Sequence, residues 1–310
     1  MHVSGENGFT LIELSIVLVV IGLIIGGVLV GRDMISASEV RATISQIEKY
    51  QTATRTFQGK YGGLPGDLNA LVATQFGFAA RGAYPGQGDG NGVLEATNGN
   101  GASFNWGFLE CAGELPMYWV DLSSVNLIDG GFNTATPTYS NPGSNITGTS
   151  IDKWFPQAKL GRGNYIYVWS GGVEGMTHNA GNGINYFGLS AVTQIDTSPS
   201  FGAPFSTPAL TVQQAYNIDK KTDDGLPQSG RVTTLYVNQV GAGGPGSIEW
   251  AAGAGGEGAY GANHAPTTNA TTATSATCYD NGGASGATQQ YSLGQNNGNG
   301  VNCALSFQFQ

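Results

Sequence analysis

The apolar and polar positions of the first sixty residues follow two successive patterns. From Leu14 to Val30 no side chain is polar except the hydroxyl of Ser15, and further along the chain apolar residues recur at spacings of three and four. The second pattern is typical of an amphipathic helix. Its expected inward face consists of Val40, Ile44, Ile47, Gln51, Thr54 and Phe57. We predict one helix from Phe9 to about Gly59, ended by the turn of residues 62–66.

The apolar stretch is long enough to cross a membrane. Residues Phe9 to Gly31 would span about 34 Å as a helix, against a hydrocarbon core of about 30 Å. A secretory signal has a shorter apolar region of roughly 7–15 residues followed by a small-x-small cleavage site, and no such site follows here. One carboxylate, Glu13, stands directly before the apolar run. An ionised group at this depth is costly, which indicates a function and a partner.

The rest of the chain shows shorter helical and strand-like patterns. Helices are predicted at Glu110–Asp129 and at Thr211–Asp219. The expected inward face of the first is Leu115, Trp119, Leu122, Val125, Leu127 and Ile128, and that of the second is Val212, Ala215 and Tyr216. The predicted strands are Asn164–Ser170, Ile184–Thr193, Arg231–Gln239 and Val301–Phe309.

Glycine-rich segments and one aromatic pattern complete the prediction. Segments Gly241–Gly261 and Ala262–Thr277 lack periodicity and are expected to be surface loops. Tyr165, Tyr167 and Trp169 alternate along one predicted strand and therefore share a face. Packing in the core is the favoured reading of this face, and a binding surface for sugars is the alternative.

The composition agrees with a loop-rich domain that still has a core. Glycine numbers 50 of 310 residues and charged residues make up 11%, whereas 40% of residues are hydrophobic and 10% aromatic. The predicted fold class is therefore α+β, a long N-terminal α-helix packed on a β-rich, loop-rich globular domain. The net charge of −9, without a Lys/Arg cluster, argues against nucleic-acid binding.

The string Gly8-Phe9-Thr10-Leu11-Ile12-Glu13, followed by the apolar run, resembles the start of the type IV pilin-like superfamily. This superfamily includes type IV pilins, minor pilins and the pseudopilins of type II secretion. The resemblance implies that a prepilin peptidase cleaves between Gly8 and Phe9, that the new amine of Phe9 is methylated, and that Glu13 serves assembly. The expected partner of Glu13 is the Phe9 amine of a neighbouring subunit.

The resemblance also implies an organisation and a location. Residues 1–8 would be a leader peptide, 9–31 the transmembrane and filament-core half of the helix, 32–60 its amphipathic half, and 61–310 the globular pilin-like domain. The N-terminus would lie in the cytoplasm and the domain in the periplasm, anchored by a single pass in the inner membrane and later carried on an extracellular filament. The implied partners are the prepilin peptidase/methyltransferase, identical or related pilin subunits, membrane lipid and an assembly platform.

Three functions are compatible with these patterns. The favoured one is a structural subunit of a type IV pilus-like filament. The first alternative is a pseudopilin of type II secretion. The second is a single-pass surface adhesin or receptor, in which Glu13 would simply reach the membrane interface.

The three cysteines allow more than one pairing. Cys278 and Cys303 flank a glycine- and asparagine-rich segment, and a disulfide between them is favoured in an oxidising periplasm. Pairing of Cys111 with either of them is the alternative. No CxxC spacing, typical of a zinc or redox site, is present.

Two acidic turns are candidate calcium sites. Asp219, Asp223 and Asp224 surround a glycine turn, and calcium prefers oxygen ligands of this kind. The second candidate contains Asp89 and Asn91, but Gln87 and Asn98 occupy the positions where a calcium loop has its first and twelfth ligands. In both turns the carboxylates could instead bind backbone amides.

Catalytic patterns are not found in the sequence. It contains no Walker loop, no HExxH and no GxSxG. The three histidines, His2, His178 and His264, have no neighbouring nucleophile motif. A non-enzymatic protein is therefore expected, without a cofactor other than the calcium considered above.

Overall fold

A computed structural model of the chain describes residues 10–96, 106–108, 110–137, 145–172, 182–196, 202–239, 246–251 and 270–310. Its helices are α1 (Leu11–Tyr61), α2 (Ala70–Phe76), α3 (Glu114–Ser124) and α4 (Val212–Thr222), with 3₁₀ turns at Gly148–Lys153 and Asn296–Gly298. Its strands are β1 (Ile146–Thr147), β2 (Asn164–Ser170), β3 (Asn185–Ile195), β4 (Pro204–Thr207), β5 (Leu210–Thr211), β6 (Val232–Thr233), β7 (Leu235–Gln239), β8 (Gly246–Trp250), β9 (Tyr279–Asp280), β10 (Gln290–Tyr291), β11 (Val301–Cys303) and β12 (Leu305–Gln308). The predicted α+β class is confirmed.

Helix α1 is continuous over 51 residues, as the sequence pattern predicts. It ends at Tyr61, slightly later than expected, because Gly62 adopts a left-handed conformation with φ of 79° and donates its N–H to the carbonyl of Gln58. The buried face of its second half consists of Val40, Thr43, Ile47, Tyr50, Ala53, Thr54, Phe57 and Tyr61.

The predicted inward face of α1 is wrong at two positions. Ile44 and Gln51 lie at its edge and are only half-buried, whereas Thr43 and Tyr50 occupy its centre. Thr43 tolerates burial because its hydroxyl donates to the carbonyl of Glu39 at 2.8 Å within the helix. The buried positions then repeat at alternating spacings of three and four, which keeps one stripe against the domain.

An antiparallel sheet of six strands forms the centre of the domain, in the order β1-β3-β12-β6, with β2 and β4 also paired to β3. Strand β2 pairs with β3 from Asn164 opposite Ala191 to Ser170 opposite Asn185. Strand β12 pairs with the same part of β3, and Phe307 lies opposite Phe187. Since both strands pair with the same residues of β3, they lie along its two opposite edges.

The predicted strands are found with some changes in their bounds. Strand β2 has the predicted bounds, and β3 extends to Ile195. The predicted strand Arg231–Gln239 is divided at Thr234 into β6 and β7, and Val301–Phe309 is divided at Ala304 into β11 and β12. At each division the chain changes partner: β6 and β12 join the central sheet, whereas β7 pairs with β8 and β11 with β5.

Both predicted helices have different bounds from those expected. Glu110–Asp129 is shortened to α3 because Glu110 donates its N–H to the carbonyl of Gly202 and Gly113 has a φ of 96°, so the helix begins only at Glu114. Val125 and Leu127 follow the helix and are half-buried. Helix α4 continues to Thr222, and Ile218 points inward where Tyr216 was expected.

One predicted loop contains a strand. Within Gly241–Gly261, residues Gly246–Trp250 form β8 and pair with β7. Residues 270–277 have no regular structure, as predicted, and the remaining parts of the two predicted loops (241–245 and 252–269) lie outside the described residues.

The aromatic face of β2 belongs to the core. Tyr165, Tyr167 and Trp169 are all buried, and Trp169 stacks on Tyr186 with a centroid distance of 4.3 Å. Trp169 also donates its Nε1–H to the hydroxyl of Ser306 at 2.9 Å. The core interpretation is confirmed, and the alternative of a sugar-binding face is wrong.

Cys278 and Cys303 form the disulfide that the sequence analysis favours, with their Cα atoms 5.0 Å apart. Their bond connects the start of β9 to the end of β11. Cys111 is buried and pairs with neither of them, so the alternative pairing is not formed.

Candidate functional site

The N-terminus of α1 is closed by hydrogen bonds between Thr10 and Glu13. The Thr10 backbone N–H and hydroxyl both donate to Oε2 of Glu13 at 2.8 Å, and the Glu13 N–H donates to the Thr10 hydroxyl oxygen at 3.3 Å. This reciprocal arrangement is a capping box, which satisfies backbone groups that have no partner inside the helix. Gly8 and Phe9, the predicted processing residues, lie outside the described residues.

The helix that follows Glu13 exposes its apolar residues on every side. Its most apolar window of 18 residues has a mean hydropathy of 2.9, and none of that window is buried. Leu11 is 86% exposed and Leu23 is 73% exposed. The hydroxyl of Ser15 is satisfied within the helix by the carbonyl of Ile12. An apolar surface of this length requires lipid or other helices around it.

The second half of α1 is held firmly by the domain. Tyr50 packs edge-on against Trp119 of α3 with a centroid distance of 5.0 Å. Thr54 shares a hydrogen bond with the hydroxyl of Tyr118. Gln46 donates to the carbonyl of Gln157 at 2.9 Å and accepts the N–H of Lys159 at 2.9 Å. The apolar half of α1 therefore extends from a segment of the helix that is packed against the domain.

The first predicted calcium turn does bring its carboxylates together. Oxygens of Asp219, Asp223 and Asp224 lie within 4.8 Å of one another. Asp219 accepts the Gly225 N–H and the Tyr291 hydroxyl, Asp223 accepts the amides of residues 231 and 232, and Asp224 accepts the amide of residue 226 and the hydroxyl of residue 229. Burial is the main cause that raises the pKa of Asp219 to about 7.

Asp219, Asp223 and Asp224 are residues that could hold a calcium ion. An ionised carboxylate has about four lone-pair sites, so each Asp retains free lone pairs after its hydrogen bonds. In the part of the chain that the structure describes, no Lys or Arg forms an ion pair with these three residues. A divalent cation would offset their mutual repulsion.

The second predicted turn is organised differently from the sequence prediction. Asp89 lies with Asp67 and Glu114, and the carboxylate oxygens of these three residues are within 4.8 Å of one another. Asn91 binds Asp89 and the amide of residue 93, and Oε1 of Gln87 accepts the Tyr84 N–H. Asn98 lies outside the described residues. Gln87 is thus part of the turn, and the calcium site with Asp89 and Asn91 stays a prediction.

Two buried carboxyl groups stabilise the backbone of this turn, and neither was predicted from the sequence as a site residue. Asp67 accepts the N–H groups of Gly90 and Gly92 at 2.6 and 2.7 Å, and Glu114 accepts those of residues 88, 89 and 95. Burial raises the pKa of Asp67 to about 6 and the pKa of Glu114 well above its usual range. No local spacing signals this pair, because it joins the segment after α1 to the first residue of α3.

A buried ion pair next to this turn was also missed. Arg81 donates to Oδ2 of Asp121 at 2.5 Å, and the same oxygen accepts the Gly66 N–H at 2.7 Å. Both side chains are essentially inaccessible. The pair connects the segments on both sides of α2 to α3. His2, His178 and His264 lie outside the described residues, so their surroundings are not described.

Comparison with protein families gives one match, to the prokaryotic N-terminal methylation motif, over residues 3–29. Comparisons with curated proteins and with solved structures gave no match. The matched residues contain the predicted cleavage position, Glu13 and most of the exposed apolar helix. The motif and the long N-terminal helix together fit a type IV pilin-like protein, as the sequence resemblance indicates.

Proposed function

We propose that the chain is a structural subunit of a type IV pilus-like filament, assembled through its N-terminal helix. The observation that supports this most is the division of α1 into an apolar half, whose most apolar window is not buried by the described residues of its own chain, and a half that is packed into the domain. The first half can therefore exchange one apolar environment for another while the fold of the domain stays unchanged.

The proposed mechanism begins with processing. A prepilin peptidase cleaves between Gly8 and Phe9 and the new amine of Phe9 is methylated, while residues 11–31 hold the subunit in the bilayer. An assembly platform then moves the subunit out of the membrane, and neighbouring helices replace lipid around α1. The globular domain stays on the periplasmic side throughout and reaches the filament surface.

Glu13 determines the register between subunits in this proposal. Its carboxylate binds the cationic Phe9 amine of a neighbouring subunit, so that two charges that are costly in an apolar core offset each other. Before assembly the same carboxylate is bound by Thr10 of its own helix. Assembly therefore adds a contact between chains to the contacts that Glu13 already makes within its own chain.

Two measurements separate this proposal from its alternatives. Mass spectrometry of the native protein should give a chain that begins at a methylated Phe9, and replacement of Gly8 by Trp should leave the leader attached. Electron microscopy with immunolabelling should find the protein in filaments sheared from the cell surface. A processed protein absent from such filaments would favour a pseudopilin, and an unprocessed N-terminus would favour a single-pass adhesin or receptor.

We also propose that the Asp219–Asp224 turn binds Ca²⁺. The proximity of three carboxylates, without an ion pair to Lys or Arg in the described chain, supports this. Asp219, Asp223 and Asp224 would be the ligands. The ion would stabilise the connection between α4 and β6, and it has no catalytic role in this proposal, because the matched motif is that of a structural protein family.

A further inference from the structure

A groove opens where α1 leaves the domain, between that helix and α4. It has a volume of 770 Å³. Its apolar end is formed by Leu29 and Ile35 of α1, and its other wall contains Gln213 and Asn217 of α4. Gln214 donates to the hydroxyl of Ser36 at 3.3 Å, which ties the two helices together at this level.

The membrane-proximal end of this groove, at residues 29–36, lies at the height of lipid headgroups. If the apolar span ends at Gly31, Ser36 is about 8 Å further along the helix axis. The headgroup layer adds roughly 5–8 Å on each side of the hydrocarbon core. The first half of α4, which Gln214 ties to Ser36, is therefore held at the outer boundary of the headgroups.

Three cationic side chains line the groove: Arg32 from α1, Arg162 from the turn before β2, and Lys221 from α4. The ion pairs found among the described residues are Lys49–Asp129 and Arg81–Asp121, so none of the three has an ion-pair partner there. Asp33 and Glu39 also line the groove, which leaves one excess positive charge in a chain of net charge −9.

These groups suit a phosphate that is attached to an apolar tail. Arginine binds phosphate oxygens in a bidentate manner, and long cationic side chains place their charge in the headgroup layer while their stems stay on apolar surface. The amides of Gln213, Asn217 and Asn299 add neutral donors. Leu29 and Ile35 continue the surface of the membrane-spanning helix, along which an acyl chain would lie.

We propose that this groove binds the headgroup phosphate of an anionic phospholipid and thereby orients the globular domain on the membrane before assembly. The proposal rests on the membrane-anchored state described above and not on filament formation. It can therefore fail while the assembly role of Glu13 stands.

The test uses the full chain in nanodiscs that contain equal amounts of phosphatidylglycerol and phosphatidylcholine. Native mass spectrometry after release counts the lipids that each protein retains. A Lys or Arg near an anionic surface strengthens binding about fivefold, so Arg162→Gln with Lys221→Gln should lower the excess of retained phosphatidylglycerol by about 25-fold at most. The control, Arg55→Gln with Lys153→Gln, removes the same charge from exposed positions outside the groove and should keep the excess.

Three results would overturn the proposal. One is a wild-type protein that retains the two lipids equally. Another is an equal loss of phosphatidylglycerol in the control, which would indicate a general effect of net charge. The last is a groove filled by a second copy of the chain. The protein would then be a dimer that retains no lipid, and the double substitution would dissociate this dimer. Unchanged melting temperatures of both variants show that the fold is intact.

Discussion

The carboxylate of Glu13 is bound by Thr10, which donates both its backbone N–H and its hydroxyl to one oxygen, Oε2, at 2.8 Å. Both residues are exposed at the start of a helix that is apolar for the next five turns. The contact satisfies the acid within its own chain, and no described residue donates a hydrogen bond to its second oxygen, Oε1. In the proposed assembly, this contact positions Glu13 for the Phe9 amine of a neighbouring subunit.

Loss of the Thr10 hydroxyl should weaken assembly. Thr10→Val keeps the size of the side chain and the backbone N–H but removes the cap, which costs a helix about 1 kcal/mol. We expect less of this variant in sheared filaments, measured by quantitative immunoblotting against the membrane fraction. Thr10→Ser should restore the wild-type amount.

Ser15→Ala is the control for the Thr10 variants, because the Ser15 hydroxyl binds only a carbonyl of its own helix, that of Ile12. It should assemble normally. Equal incorporation of Thr10→Val and Ser15→Ala would show that the capping contact has no role in assembly.

Removal of the charge of Asp121 should destabilise the domain strongly. Asp121→Asn leaves the buried guanidinium of Arg81 without a counter-charge, and breaking a buried pair typically costs 3–5 kcal/mol. Asp129→Asn is the control, because its ion pair with Lys49 lies on the surface, and we expect no measurable change. Urea unfolding followed by tryptophan fluorescence measures both. Similar midpoints for the two variants would contradict the structural role of the Arg81–Asp121 pair.

The stability of the domain should fall as the pH rises from about 4 to about 7 when calcium is chelated. Burial raises the pKa of Asp67 from 3.8 to about 6, so between these values the folded protein binds more protons than the unfolded chain. The resulting stabilisation is present below pH 4 and is lost as the pH rises through 6. The pKa of Asp219 is raised to about 7, so this group causes a further loss of stability as the pH rises through 7.

Asp67→Asn should flatten the part of this decline below pH 6, as measured by melting temperatures across the pH range. Asp89→Asn removes an exposed charge that contributes less than burial to the raised pKa of Asp67, so this variant should keep most of the decline. A melting temperature of the wild-type protein that rises over this range would show that Asp67 does not carry the proton.

Calcium should raise the melting temperature through the Asp219–Asp224 turn. A ligand at 100 times its Kd stabilises the folded state by about 2.7 kcal/mol. Asp224→Asn should abolish the shift on adding calcium or a chelator, whereas Asp89→Asn should retain it. An unchanged wild-type melting temperature on chelation would refute the calcium proposal, and loss of the shift in Asp89→Asn would move the site to the other turn.

The sequence predicted those parts of the fold that depend on local pattern. Helix α1 and strand β2 follow from periodicity, and the bounds of β2 are the predicted ones. The divisions at Thr234 and Ala304 were missed, because they depend on which strands the flanking residues pair with. A continuous run of strand-forming residues carries no information about a change of partner.

The candidate sites show the same limit. Glu13 was identified as a candidate site because a lone carboxylate directly before a long apolar run is unusual, and this pattern is visible in the sequence alone. The pairing of Asp67 with Glu114 and of Arg81 with Asp121 could not be predicted, since the members of each pair are 40 or more residues apart. Only the packing of α3 beneath the turn brings them together, and no spacing rule describes that contact.

The most direct measurement of the role of Glu13 is the incorporation of Glu13→Ala subunits into filaments, compared with Leu14→Ala as a control at the adjacent exposed position. Both variants should insert into the membrane and show the processed mass that begins at Phe9. We predict that Leu14→Ala is found in sheared filaments and that Glu13→Ala is not. Incorporation of Glu13→Ala at the level of the control would contradict assembly through a charge pair between Glu13 and the Phe9 amine of a neighbouring subunit.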